Sequence, residues 1–123
     1  MRFISYIIFI SVFISCNSGN RTDVLLFKEG RFKTYLGERK DSSYLYRTKT
    51  LQIETYKNKV DTFSIFWKSN FEYELRKTTP KNKLDSIPFK VRITKIKKNY
   101  YKFKAGYLGS HFIQTGTTYI TKE

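Results

Sequence analysis

Few groups in this chain could move a proton, attack a carbon or ligate a metal. His111 is the only histidine and Cys16 the only cysteine, and the carboxylates Glu54, Asp61, Glu72 and Glu74 lie mid-chain. No second histidine and, once Cys16 is acylated, no free thiol is left to build a metal centre or a Cys/His pair. Two carboxylates could flank a glycosidic bond as acid and base. Glu72 and Glu74 fall on the same parity as Arg76, a pattern that reads as solvated charge. No catalytic residue, metal ligand or cofactor is assigned, and a non-enzyme is expected.

Cys16 suggests a different chemistry. Arg2 and the terminal amine precede twelve residues, Phe3 to Ile14, broken only by Ser5 and Ser11. That run suits a secretory leader and falls short of the about 20 apolar residues of a membrane span. Phe13-Ile14-Ser15-Cys16 resembles a bacterial lipobox, which implies diacylation of Cys16 and cleavage before it. The alternative is an ordinary secretory leader cut nearby. Asn17-Ser18-Gly19-Asn20-Arg21-Thr22 suits a flexible tether. The expected organisation is a signal peptide over 1–15, a lipidated cysteine and tether over 16–23, and one folded domain over 24–123. Acyl chains worth about 0.8 kcal/mol per buried methylene would hold that domain on a bilayer.

The elements that position the remaining groups follow a period of two, with no helical stripe of useful length. With Cys16 acylated no thiol is left for a disulfide, so packing must hold the fold. Residues 16–123 keep eight Phe, nine Tyr and Trp67, which predicts an aromatic-rich core. A first strand is expected over 31–36. Tyr44 and Tyr46 then oppose Leu45, and Leu51 and Ile53 share a face opposite Gln52 and Glu54. The clearest hairpin runs from Asp61 to Lys77, with Phe63, Ile65 and Trp67 facing Phe71, Tyr73 and Leu75. Phe63, Trp67, Phe71 and Tyr73 are its expected interior aromatics. Phe89, Val91 and Ile93 alternate up to a parity break at Lys95-Ile96, which predicts a bulge. Tyr101, Phe103, Ala105 and Tyr107 alternate next. Gly106 to Ser110 is the last expected turn, and His111 to Thr121 the last strand. About eight short strands with tight connections predict an all-β antiparallel meander, closed or nearly closed into a small lipocalin-like barrel. A two-layer β-sandwich is the structural alternative.

Phe27-Lys28-Glu29-Gly30-Arg31-Phe32, Asp61-Thr62-Phe63-Ser64-Ile65-Phe66-Trp67 with Tyr73 and Leu75, Pro80-Lys81-Asn82, and Gly116-Thr117 resemble a family of short Gram-negative envelope lipoproteins. The resemblance implies a fold and a place, the periplasmic face of the outer membrane, but no chemistry. Some members bear the name DNA topoisomerase IV. The phosphate-binding glycine loop that such an enzyme needs is absent from this sequence.

Charge is the strongest surface signal. The formal +14 becomes +13 when Arg2 leaves with the leader. Residues 76–104 hold eleven Lys and Arg against Asp85 alone. Lys90 and Arg92 are expected across from Lys102 and Lys104 on one outward face, with Tyr100 nearby. Like charges opposed on a sheet are tolerated when solvent or an anionic partner covers them. The reading is a lipid-anchored, non-catalytic binding or accessory domain whose basic face meets anionic lipid or glycan of the envelope. Nucleic acid ranks lower, because an exported protein rarely meets it. The alternatives are a structural lipoprotein without a ligand, and a lipocalin-like carrier of a small apolar molecule.

Overall fold

The computed structural model describes residues 24–37 and 41–121. The leader, Cys16 and the tether lie outside the described residues. Eight strands follow in order: β1 (Gly30–Leu36), β2 (Ser42–Arg47), β3 (Leu51–Tyr56), β4 (Lys59–Ser69), β5 (Glu72–Lys77), β6 (Phe89–Ile96), β7 (Tyr100–Tyr107) and β8 (Gln114–Ile120). Each pairs antiparallel with the next, and β8 returns to β1 from Phe32↔Ile120 to Leu36↔Gly116. The sheet is therefore a closed barrel and not a sandwich, so neither β1 nor β8 is left as an open edge.

One end of the barrel is plugged. A helical turn over 24–28 carries Phe27, wholly buried, against the edge of Tyr101 at 5.0 Å and beside Phe32 at 6.2 Å. Gly30, at φ 125°, lets the chain swing from this plug into β1. The other end holds the longer connections. Residues 78–88 include a single 3-10 turn at Leu84–Ser86, and residues 108–113 link β7 to β8.

The core is built from the inward parity of each strand, with Phe32, Leu45, Ile65, Tyr73, Leu75, Val91, Ile93, Tyr101, Phe103 and Ala105 buried. Gly116 is where β8 makes room for Phe103: a Cβ there would meet that ring at 2.5 Å and the Tyr35 carbonyl at 2.7 Å. The bulge on β6 falls between Ile93 and Lys95, one residue before the expected break.

The structure departs from the expected pattern in three places, two in the inward set and one in the strand bounds. On β3 the polar parity faces inward: Gln52 is buried and Glu54 lines the interior, while Leu51 and Ile53 lie on the outer side. Phe71 is half exposed in the β4–β5 turn, because a register shift between Trp67 and Ser69 lets β5 begin only at Glu72. β7 runs on through Gly106 to Tyr107, and β8 starts at Gln114. At Gly106 the Phe112 carbonyl folds over the strand, 2.5 Å from where a Cβ would stand, so the position has no room for a side chain.

The largest fully buried side chain is Arg47, on the inward parity of Leu45. Its Nε donates to Gln52 Oε1 at 2.7 Å and its Nη1 to the Phe27 carbonyl at 2.8 Å. Its Nη2 donates to the hydroxyls of Tyr73 and Tyr101, both at 2.7 Å. Those hydroxyls also bond each other at 2.8 Å. Phe32, Tyr73, Tyr101 and Trp67 present ring centroids 4.8 to 5.9 Å from the guanidinium carbon. Replacing Arg47 by Met leaves Gln52 and the Phe27 carbonyl without their donor, and each orphaned buried group costs about 1–3 kcal/mol. Arg47→Met is therefore expected to lower the unfolding free energy by about 3 kcal/mol in urea titration. A loss within the scatter of surface substitutions would show that the network is not holding the plug.

Candidate functional site

Two regions gather polar and aromatic side chains in a way that suits binding: the outer wall over β6, β7, β8, β1 and β2, and the interior at the unplugged end.

The wall follows from closure. These five strands contain no Asp or Glu, and their outward positions carry Arg92, Lys95, Lys102, Lys104, Arg31 and Lys33. Five tyrosines stand among them. Register aligns Tyr100 with Tyr119, Tyr119 with Lys33 and Lys33 with Tyr44, one unbroken row across β7, β8, β1 and β2. At about 4.8 Å between strands this row is roughly 14 Å long. Tyr35 meets Tyr119 edge-on at 5.9 Å, and Tyr100 lies 5.2 Å from Tyr119. The Lys33 ammonium lies 5.5 Å from the Tyr35 ring and 5.3 Å from the Tyr44 ring, and the Arg31 guanidinium 4.6 Å from Tyr46. Cation–π contact of this kind holds the rings and charges in place while leaving Tyr44 and Tyr119 open to solvent. Shallow grooves run between them, one bounded by Arg31, Lys33, Tyr44 and Tyr46 and another by Lys33, Tyr35, Thr117 and Tyr119.

The four basic residues expected to form one face are divided by this geometry. Arg92 stands directly opposite Lys104, as anticipated. The bulge moves Lys102 opposite Lys95, and Lys90 faces Gly106 on that side. On its other side Lys90 faces Glu74 and bridges Glu72 at 3.2 Å. Glu74 itself lies buried under Lys68, at 2.8 Å, and Arg76, at 3.9 Å, so it is no freely solvated carboxylate. Lys90 thus belongs to a neutralised seam between β5 and β6, and the unopposed cations extend the other way, towards β1. The roles of Arg31, Lys33, Tyr35, Tyr44, Tyr46 and Tyr119 were not anticipated. Their alternation was visible along the sequence, but only the β8–β1 pairing sets them beside β7.

Of the four expected interior aromatics, Phe63, Trp67 and Tyr73 point inward and Phe71 does not. Burial pushes the Tyr73 phenol well above its ordinary pKa, which keeps it a neutral partner for Arg47. Beyond Tyr73 the barrel opens into a cavity of about 410 Å³. Its walls are apolar, with Glu54, Lys77, Asp85, Gln52, Thr34 and Gln114 interspersed. Glu54 and Asp61 are cross-strand neighbours on β3 and β4. Lys77 Nζ lies 3.9 Å from Asp61 and 3.6 Å from Asp85. A backbone bond from the Lys81 N–H, at 3.0 Å, and the nearby Lys77 hold the Asp85 carboxyl below its usual pKa. Glu54 goes the other way. Burial raises it above the ordinary carboxylate value, outweighing a hydrogen bond from Ser43, and Asp61 adds to the rise against the pull of Lys77. His111 is exposed in the β7–β8 connection, and no group of three or more His, Cys, Asp or Glu among the described residues could hold a metal ion.

The Glu54 shift sets a pH dependence. A carboxyl whose folded pKa is raised favours the native state only while protonated, so its contribution is present below the unfolded pKa and is lost as pH rises through the folded one. Glu54→Gln is therefore expected to unfold at higher urea concentration than the parent at pH 7, with the difference vanishing near pH 3. A variant less stable than the parent at pH 7 would show that the ionised carboxylate is favourably paired.

No protein-family model, curated protein or solved structure matches this chain.

Proposed function

We propose that this chain is a lipid-anchored, non-catalytic protein of the cell envelope whose outer wall binds an anionic glycan. The row Tyr100–Tyr119–Lys33–Tyr44 carries this reading. Exposed tyrosine rings offer flat faces to the C–H faces of sugar rings, and the lysines and arginines beside them take phosphate or carboxylate groups. A lipid headgroup surface would need the charges but not the rings. Single-stranded nucleic acid would use both, yet the leader and the lipobox-like Ser15-Cys16 direct the domain out of the cytoplasm. Acylation of Cys16 places the domain among phosphorylated and uronate-bearing polymers. A barrel braced by its own interior presents the wall without rearrangement, so little ordering entropy opposes binding.

The anchor is tested by mass spectrometry of the native N-terminus, where acylated Cys16 is expected; a retained Met1 would remove the envelope placement. For the wall, the full chain in phosphatidylcholine nanodiscs is titrated with the deacylated, phosphorylated core of lipopolysaccharide. Replacing Lys33, Lys102 and Lys104 together by Gln is expected to weaken binding about a hundredfold, at about 1 kcal/mol for each charge, and to flatten its salt dependence. Replacing Tyr44 and Tyr119 by Ala is expected to weaken it about tenfold while leaving the salt dependence intact. Binding indifferent to both sets, or an oligothymidylate that binds more tightly than the glycan, would overturn the reading.

A further inference from the structure

The second region has no use in glycan binding, since its residues face the barrel interior and many of them lie on β3, β4 and β5, away from the outer wall. The cavity of about 410 Å³ falls within the range of small-molecule sites, about 300–1,000 Å³. Leu36, Leu45, Phe63, Leu75, Phe89 and Val91 supply its apolar walls. Its floor is closed by Gln52 and Tyr73, whose oxygens are already engaged by Arg47. Arg47 in turn makes four hydrogen bonds of its own, so its donors are taken within the plugged half and none of these four is directed at a ligand. Among the described residues, the lining extends to the end bearing the long connections through Asp85, Ile87, Ser110 and Phe112. There Leu84, Leu108, Phe112 and Ile113 stand half or more exposed, an apolar lip beside the entrance.

Charge in the cavity runs against that of the whole protein. Among the described residues, Glu54 and Asp85 line the cavity with one cation, Lys77, and Asp61 stands beside Glu54 at the rim, in a chain whose formal charge is +14. Lys77 divides itself between Asp61 and Asp85, and no ion pair reaches Glu54 among the described residues. An anionic head would meet the carboxylates of Glu54 and Asp85, whereas a cationic or donating head would meet in Glu54 one that the Ser43 hydroxyl bonds but no ion pair reaches among the described residues.

We infer that the open end of the barrel is a second binding site, taking a small amphiphile whose alkyl chain lies against Leu45, Leu75 and Val91 and whose ammonium head meets Glu54. The acidic residues choose the head, and the apolar walls and closed floor limit the chain. The site is independent of the outer wall and of the lipid anchor.

The test uses the full chain in phosphatidylcholine nanodiscs, titrated with hexylamine, hexan-1-ol and hexanoate, with empty nanodiscs as the blank. Methyl signals of Leu45, Leu75 and Val91 report occupancy. Hexylamine is expected to shift these signals and to bind at least about tenfold more tightly than hexanoate, the value of one partly buried ion pair. Glu54→Gln should remove that advantage and leave hexan-1-ol unaffected, and Lys77→Gln, which frees Asp61 and Asp85, should strengthen hexylamine. Hexanoate binding as tightly as hexylamine would overturn the inference. So would hexylamine affinity that survives Glu54→Gln, or cavity methyls that none of the three probes moves.

Discussion

A single guanidinium buried without a carboxylate is the constraint around which this barrel is arranged. Removing such a charge from water costs several kcal/mol even after relaxation. Arg47 recovers that cost through four hydrogen bonds to neutral acceptors and the faces of surrounding rings. Those acceptors come from β3, β5, β7 and the N-terminal turn, so four separate segments are located by one planar group. The fork geometry matters: lysine has neither the planar reach nor the divergent donors to meet them together. Seen this way, the plug over the barrel end is held by its Phe27 carbonyl as much as by its ring.

Closing eight strands leaves an interior about as wide as the side chains that fill it. With Arg47, Trp67, Phe27 and two tyrosines in the plugged half, further rings cannot all be inside. Tyr35, Tyr44, Tyr46, Tyr100 and Tyr119 consequently sit on the outer surface, where they pack against one another and against Arg31 and Lys33. The expectation that the chain's aromatics would make the core holds for only part of them. The others form the outer wall, and their abundance reflects two demands on one residue type.

The strand count, the meander and the closure could be read from alternation and short turns, because hairpin connections leave little topological freedom. What alternation could not decide is which parity faces in. On β3 the apolar Leu51 and Ile53 would ordinarily claim the interior; Gln52 takes it because Arg47 needs an acceptor there. Lys90 looked like part of a cationic face from its own hairpin, yet its partner Glu72 comes from the preceding strand. Phe71 fitted the pattern of Tyr73 and Leu75 until the register shift at Trp67 and Ser69 spent it in the turn. Each departure depends on a contact between strands that are distant in sequence, which periodicity within one strand does not encode.

The placement of the acids then gives the molecule its polarity. Glu72 and Glu74 lie on β5 and engage Lys68, Arg76 and Lys90, so the β4–β6 flank is close to neutral. Glu54 and Asp85 line the open end and Asp61 stands at its rim, where Lys77 meets two of the three. Among the described strands, only those from β6 through β2 carry cations and no carboxylate, which biases the field of the barrel to that side. A polyanion approaching such a molecule is turned towards that flank before contact. Because inward and outward residues alternate, Lys33 and Thr34, or Tyr44 and Leu45, serve opposite surfaces from adjacent positions of one strand. The two surfaces can therefore carry opposite charge preferences within one small barrel, each set by its own parity and separated by a single layer of backbone.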